Sequence, residues 1–239
     1  MNAIRAANHT RGHSRRQPQI TWPGVLKFVA HGKQTLESVV EMGWRPGARY
    51  TNLRDIRNVS FAGHGFLDIH WKKYDFNRHL DAAALSLPLI TVARDVERHR
   101  DLDAVLKEAE HLSQYATLVV IVPKDPKLSK CLSTAIPQHY LLGYSVPSRY
   151  GSTPIEPIEF RRPVHLLGGR PDTQRRLAAQ MPVVSLDCNR FTLDAQFGDY
   201  FDGDTFRPHP RGGYQTCLRD SIRNIDKLWR GYSPVYDIN

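Results

Sequence analysis

The chain is poor in the residues that mark several large classes of protein. It has only three cysteines in 239 residues, Cys131, Cys188 and Cys217, widely spaced and never as C-x-x-C. That spacing excludes a disulfide framework and offers no cysteine-built zinc site. No apolar stretch approaches the roughly 18 residues that a membrane helix needs, so no membrane span is expected. The N-terminal residues have basic side chains but no apolar block behind them, which is not the layout of a secretory signal, and a cytoplasmic protein is expected. Eleven histidines are scattered, with His31, His70 and His165 near apolar runs, and none falls in an H-E-x-x-H or other recognised metal spacing. Neither a metal nor a cofactor is expected.

Basic charge is what the chain has in excess. Lys plus Arg outnumber Asp plus Glu by 33 to 24, a net charge of +9, and the first twenty residues hold Arg5, Arg11, Arg15 and Arg16 without an acid. Such a balance favours a polyanionic partner such as nucleic acid, although it can also serve solubility alone. Residues 1–24 are polar and basic and contain Pro18, Pro23 and Gly24, which reads as a flexible arm. The remainder, 25–239, reads as a single domain.

Eight short apolar runs recur through it: 26–30, 48–53, 65–70, 89–95, 118–124, 140–146, 164–169 and 183–188. Most are continuously apolar rather than alternating, the pattern of parallel strands covered on both faces. Helical patterns separate several of them. "RDLDAVLKEAEHLSQY" puts Leu102, Val105, Leu106, Ala109 and Leu112 on one stripe, "PDTQRRLAAQM" opens on Pro171, and "DSIRNIDKLW" spaces Ile222, Ile225 and Trp229 by three and four. The leading architecture is an α/β (β/α)8 TIM-like barrel, with an open doubly wound sheet as the alternative. Short or irregular crossovers after strands two and six predict an incomplete helical ring. Residues 147–163 and 192–213 read as long loops.

In such a barrel the active site lies at the C-terminal ends of the strands. The polar residues there are Asn52, Asp68, Asp95, Lys124, Gly143 with Tyr144, Gly168 with Gly169, and Asp187. Three carboxylates would share one mouth, where neighbouring charges let one stay protonated as an acid while another stays ionised. That division of labour suits chemistry at a sugar anomeric carbon. Asp68 can equally cap the segment that follows, and Asp95 can cap a helix or pair with Arg94 or Arg98. Asp187 ends its run with no evident helix behind it. Gly168 and Gly169 read either as a phosphate loop or as a tight strand-to-helix turn.

The order of three stretches, "YLLGYSVPSRYG", "HLLGGRPDTQRRL" and "VVSLDCNRF", resembles the C-terminal half of the tRNA-guanine transglycosylase barrel. There a G-G-L-A-V-G strand is followed by Y-L-M-G-V-G-x-P-x-D and F-D-C-x-x-P-T-R. "ARYTNLRDI" is similar to that family's G-N-T-Y-H-L strand, "GFLDIH" stands where it carries D-S-G-G-F-Q, and "TVARD" where it carries F-D-E-C. The family's C-x-C-x-x-C zinc subdomain is absent, Ile69, His70 and Trp71 replace the serine and glycines after the third-strand aspartate, and "IVPKD" replaces the glutamine strand. A short zinc-free relative is most similar to the phage-type DNA guanine transglycosylases, which would act in the bacterial host cytoplasm.

The resemblance implies exchange of guanine in DNA for a free 7-deazaguanine base such as 7-cyano-7-deazaguanine, by double displacement. It assigns Asp187 as nucleophile and Asp68 as general acid and base. Asp95, Asn52, Gly143, Tyr144, Gly168 and Gly169 would hold the base, and Arg149, Arg161, Arg162 and Arg190 would hold the nucleic-acid backbone. Rival readings are exchange in tRNA, a catalytically inactive barrel that binds nucleic acid as a partner subunit, and a glycosidase or sugar-phosphate enzyme using the same carboxylates. Cys188 reads as a small packing residue.

Overall fold

The computed structural model describes Trp22, residues 24–149 and residues 151–235. The basic arm lies outside these except for Trp22, which packs against the core, and Gly24. Eight parallel strands close into a barrel in sequence order: β1 Leu26–Ala30, β2 Arg45–Arg49, β3 Phe66–Asp68, β4 Ile90–Val92, β5 Leu118–Ile121, β6 Leu141–Ser145, β7 Val164–Leu167 and β8 Val183–Asp187. Every residue of β4, β5 and β8 is buried, as strands enclosed on both faces require. The chain is thus an α/β TIM-like barrel.

The helices are α1 Lys33–Glu41, α2 Phe76–Ser86, α3 Leu102–Leu112, α4 Leu132–Ala135, α5 Pro171–Leu177, α6 Arg190–Ala195 and α7 Tyr214–Leu228. Among the described residues, single 3-10 turns, Arg54–Ile56 and Pro157–Glu159, replace an α-helix after β2 and β6, so the ring is incomplete where the sequence predicts. In α3 the buried residues are Leu102, Val105, Ala109 and Leu112, while Leu106 is partly buried against the core. Helix α5 begins on Pro171, whose missing N–H costs nothing in a first turn. The carboxylate of Asp75 caps α2 by accepting from the Arg78 N–H at 3.1 Å.

Three local expectations are corrected. Strand β2 is Arg45–Arg49 rather than 48–53, which carries its end away from Asn52. Helix α6 follows β8 almost directly, so Asp187 does have a helix behind it. The 192–213 connection holds the end of α6 and an antiparallel hairpin, β9 Asp199–Phe201 with β10 Phe206–Pro208, packed beside α7.

Register around the barrel decides which side chains face inward. Phe28 pairs with Asp187, Arg49 with Asp68, Gly47 with Phe66 and Gly143 with His165. Alternation along each strand then places Phe28, Phe66, Gly143, His165, Ser185, Asp68 and Asp187 on the inner face. The rings of Phe28 and Phe66 lie 5.6 Å apart, and His165 stacks on Phe66 at 4.8 Å. This apolar layer is the floor on which the carboxylates stand.

Candidate active site

Asp68 and Asp187 end β3 and β8, and both reach the barrel mouth. Asp187 is 6% exposed, and its Oδ1 accepts the Gly168 N–H at 3.0 Å. The Nε2 of His165 lies 3.7 Å from the same oxygen. His165 is fully buried and its Nε2 has no hydrogen-bond partner, while its Nδ1 is 2.8 Å from the Ser185 hydroxyl. Both contacts converge on Oδ1, which leaves Oδ2 as the oxygen to present to a reacting atom. Beneath them the fully buried Gln174 donates its amide to the carbonyls of Gly168, at 2.7 Å, and Asp187, at 2.8 Å. It ties the ends of β7 and β8 together and so fixes the carboxylate's direction.

Asp68 is held as an acid. Burial is the main cause and the charge of Asp187 the second, with Asp95 adding a smaller push; together they raise its pKa to about 7. The Ile69 N–H, donating to Oδ1 at 2.8 Å, and Arg49, whose Nε is 4.0 Å from Oδ2, oppose the rise without cancelling it. The hydrogen bond to its own neighbour is local, and Asp68 caps no α-helix.

Asp95 pairs with neither Arg94 nor Arg98. Arg94 is drawn to Glu108 on α3, with Nε 3.0 Å from both carboxylate oxygens. Asp95 instead binds Lys124, Nζ to Oδ2 at 2.8 Å, and both are mostly enclosed. Burial raises the pKa of Asp95, and Lys124 pulls against it. The mouth thus holds one acid, one anchored carboxylate and one ion pair.

Other expected contacts sit elsewhere. Asn52 is exposed beyond the end of β2 and donates to Asp55 at 3.0 Å; Arg49 takes the place beside Asp68. Tyr144 faces the outer side of β6, where its ring meets Phe160 edge-on at 5.2 Å. A Cβ on Gly143 would stand 2.6 Å from Val122 and 2.7 Å from Val120, so the space beside it is filled by Val120 of β5 and by Val122 just beyond that strand. Gly168 and Gly169 have φ of 62° and 87° and form the strand-to-helix turn, with the Gly168 N–H directed to Asp187.

Arg161 and Arg162 precede β7 and therefore lie at the N-terminal end of the barrel, opposite the carboxylates. Arg162 is buried and donates to the Ile136 carbonyl at 2.9 Å, with burial lowering its pKa to about 10. It is not a phosphate contact at the mouth. Arg149 is exposed in the loop after β6. Arg190 is at the mouth, paired with Asp194 at 2.6 Å and lying over Phe206 at 5.7 Å. Arg170 covers the same ring at 5.5 Å. Cys188 is fully buried, and burial pushes its thiol up to about 12, which rules it out as a nucleophile.

His165, Gln174 and Arg170 were not legible as site residues. A signal existed for two: His165 interrupts an apolar run, and Gln174 lies on the same stripe of α5 as Pro171 and Leu177, which are buried. Among the described residues no group of three or more His, Cys, Asp or Glu is placed to hold a metal ion.

A parallel eight-stranded barrel with paired carboxylates at the C-terminal end of its strands is a scaffold that hosts many chemistries. Among solved structures, the YdjI aldolase from Escherichia coli K12 is similar over 87% of this chain and 92% of that chain, with a TM-score of 0.53 and 10% identity. That likeness concerns the fold. No curated protein matches the chain. The model of a family of unknown function, DUF6610, matches residues 39–230, and the chain belongs to that family. The matched span includes Asp68, Asp95, His165 and Asp187.

Proposed function

We propose that the protein is a DNA guanine transglycosylase that exchanges guanine for a 7-deazaguanine base. The observation that carries this reading is the pairing of unlike carboxylates. Asp68 keeps its proton to about pH 7, well above the usual carboxylate range, through burial and the charge of Asp187, while Asp187 is anchored through Oδ1 by the Gly168 N–H.

Asp187 Oδ2 attacks C1′ of the deoxyguanosine. The C1′–N9 bond breaks, its electron pair leaves with guanine, and the proton of Asp68 passes to the departing base. The incoming 7-deazaguanine then gives its N9 proton to ionised Asp68, and N9 attacks C1′ and displaces Asp187. Two displacements retain configuration, and neither needs nucleotide hydrolysis.

The Asp95–Lys124 pair suits the base. Its carboxylate accepts from the N1–H and exocyclic amine of guanine, and its ammonium donates to O6. A target base in a duplex must first leave the stack to reach this mouth. The net charge of +9, with Arg49, Arg170 and Arg190 around the rim, favours the polyanion.

The test is incorporation of labelled guanine into DNA. The native protein should exchange label, and Asp187→Ala and Asp187→Asn should each fall by at least about 10³-fold. Full exchange by either variant would end the assignment.

A further inference from the structure

The segment that departs from the transglycosylase pattern just after Asp68 has not been accounted for by base exchange. Ile69, His70 and Trp71 stand there, followed by Lys72 and Lys73. Trp71 is 52% exposed, whereas Trp44 and Trp229 are buried and Trp22 packs on the core. The half-exposed indole lies three residues from the acid group and can offer a flat apolar face to a partner there. The Lys72 ammonium lies 5.1 Å from its ring.

The turn that carries the indole is anchored to the core. Trp71–Lys73 is a 3-10 turn closed by Lys73 N–H donating to the His70 carbonyl at 3.0 Å. The buried Tyr50 donates its hydroxyl to the Lys73 carbonyl at 3.0 Å and accepts from the Asp75 N–H at 3.0 Å. Tyr50 itself is stacked on the fully buried His79 at 5.2 Å. The indole is therefore presented by a turn pinned to the core, and little ordering entropy is lost when a flat partner lands on it.

Charge names the partner. Arg49, 59% exposed, sits beside Asp68, and Arg54, Lys72 and Lys73 complete a basic rim on this side of the mouth. The nearby acids are engaged: Asp55 with Arg54 and Asn52, Asp75 with the first turn of α2. A flat aromatic face inside a ring of cations fits an unpaired base flanked by phosphates, since a paired and stacked base shows no free face.

We propose that Trp71 is a stacking platform for the unpaired nucleotide next to the target guanine, with Lys72 and Lys73 on the adjoining phosphates, so that the substrate is a single-stranded or locally opened DNA segment. This rests on the nucleic-acid part of the reading above and not on the exchange chemistry. It gives the His-Trp-Lys-Lys segment a role in choosing the strand state of the substrate.

The experiment is a fluorescence titration of the full chain with a DNA strand of about 12 nucleotides containing one guanine, with the same sequence as a duplex, and with its RNA counterpart. The single DNA strand should quench tryptophan emission and bind more tightly than the other two. Trp71→Ala should lose most of the quench and weaken binding roughly ten-fold, and Trp71→Phe should keep affinity within about three-fold. Lys72→Ala/Lys73→Ala should flatten the log–log salt dependence by about 1.4, at about 0.7 per phosphate on a single strand. Unaltered affinity in Trp71→Ala, tighter binding of the duplex, or preference for RNA would each overturn the proposal. Binding that depends on Trp71 in a protein that exchanges no base would uphold the platform and defeat the enzymatic reading instead.

Discussion

Replacing Asp68 by asparagine should stabilise the protein, and increasingly so as pH rises. A buried carboxyl whose folded pKa is raised binds its proton more tightly folded than unfolded. Well below pH 4 both states are protonated and the group is neutral in the balance. Between about 4 and 7 the unfolded chain ionises while the folded one does not, so stability is lost as pH rises, and the loss levels off above the folded pKa. With the pKa moved from 3.8 to about 7, the full cost is about 4 kcal/mol at 1.36 kcal/mol per unit. Asparagine keeps the oxygen that accepts the Ile69 N–H and carries no charge to bury. Urea denaturation of both proteins at pH 4 and pH 8 reads the effect directly. Asp68→Asn should lie within about 1 kcal/mol of the native chain at pH 4 and exceed it by about 2–4 kcal/mol at pH 8. A difference that does not change with pH would show that folding does not raise the pKa of Asp68, and the acid role would fall with it. A gain in stability at the cost of activity is the usual trade at a site built to hold an unfavourable group.

Two further predictions follow from the geometry beneath Asp187. His165→Leu should lower kcat for base exchange about ten-fold or more at nearly constant KM, with His165→Gln restoring part of it through its amide; equal losses in both variants would point to packing on Phe66 and not to contact with Asp187. Gly169→Ala should destabilise by about 3 kcal/mol or more in urea denaturation, because a Cβ there meets Val146 at 2.3 Å at a φ of 87°, whereas Gly168→Ala, with open space around it, should cost only about 1–2 kcal/mol.

The barrel was legible because parallel strands enclosed on both faces have to be apolar throughout, and seven of the eight runs lie on the strands they suggest. Strand β2 was not. "RPGAR" contains a proline and a glycine, both poor in strands by propensity, but a Cβ on Gly47 would approach Val29 O to 3.1 Å, and the close approach of β1 and β2 selects glycine there. The apparent run three residues later drew attention to Asn52 and away from Arg49. The ends of strands gave Asp68, Asp95 and Asp187 their places, since a strand's direction decides which end meets the mouth. The same rule, applied to Arg161 and Arg162, would have put them at the far end. What no local pattern could reveal is pairing across the barrel. That Lys124 neutralises Asp95, or that Asp187 shapes the titration of Asp68, depends on closure of strands far apart in the chain.

The most direct measurement is mass spectrometry of nucleosides released from DNA and from tRNA after each is incubated with the protein and 7-cyano-7-deazaguanine. The 7-deazaguanine deoxynucleoside should appear in DNA, dependent on Asp187 and Asp68, while tRNA stays unmodified. Modified tRNA with unmodified DNA would contradict the substrate, and unmodified nucleosides from both would contradict the exchange itself.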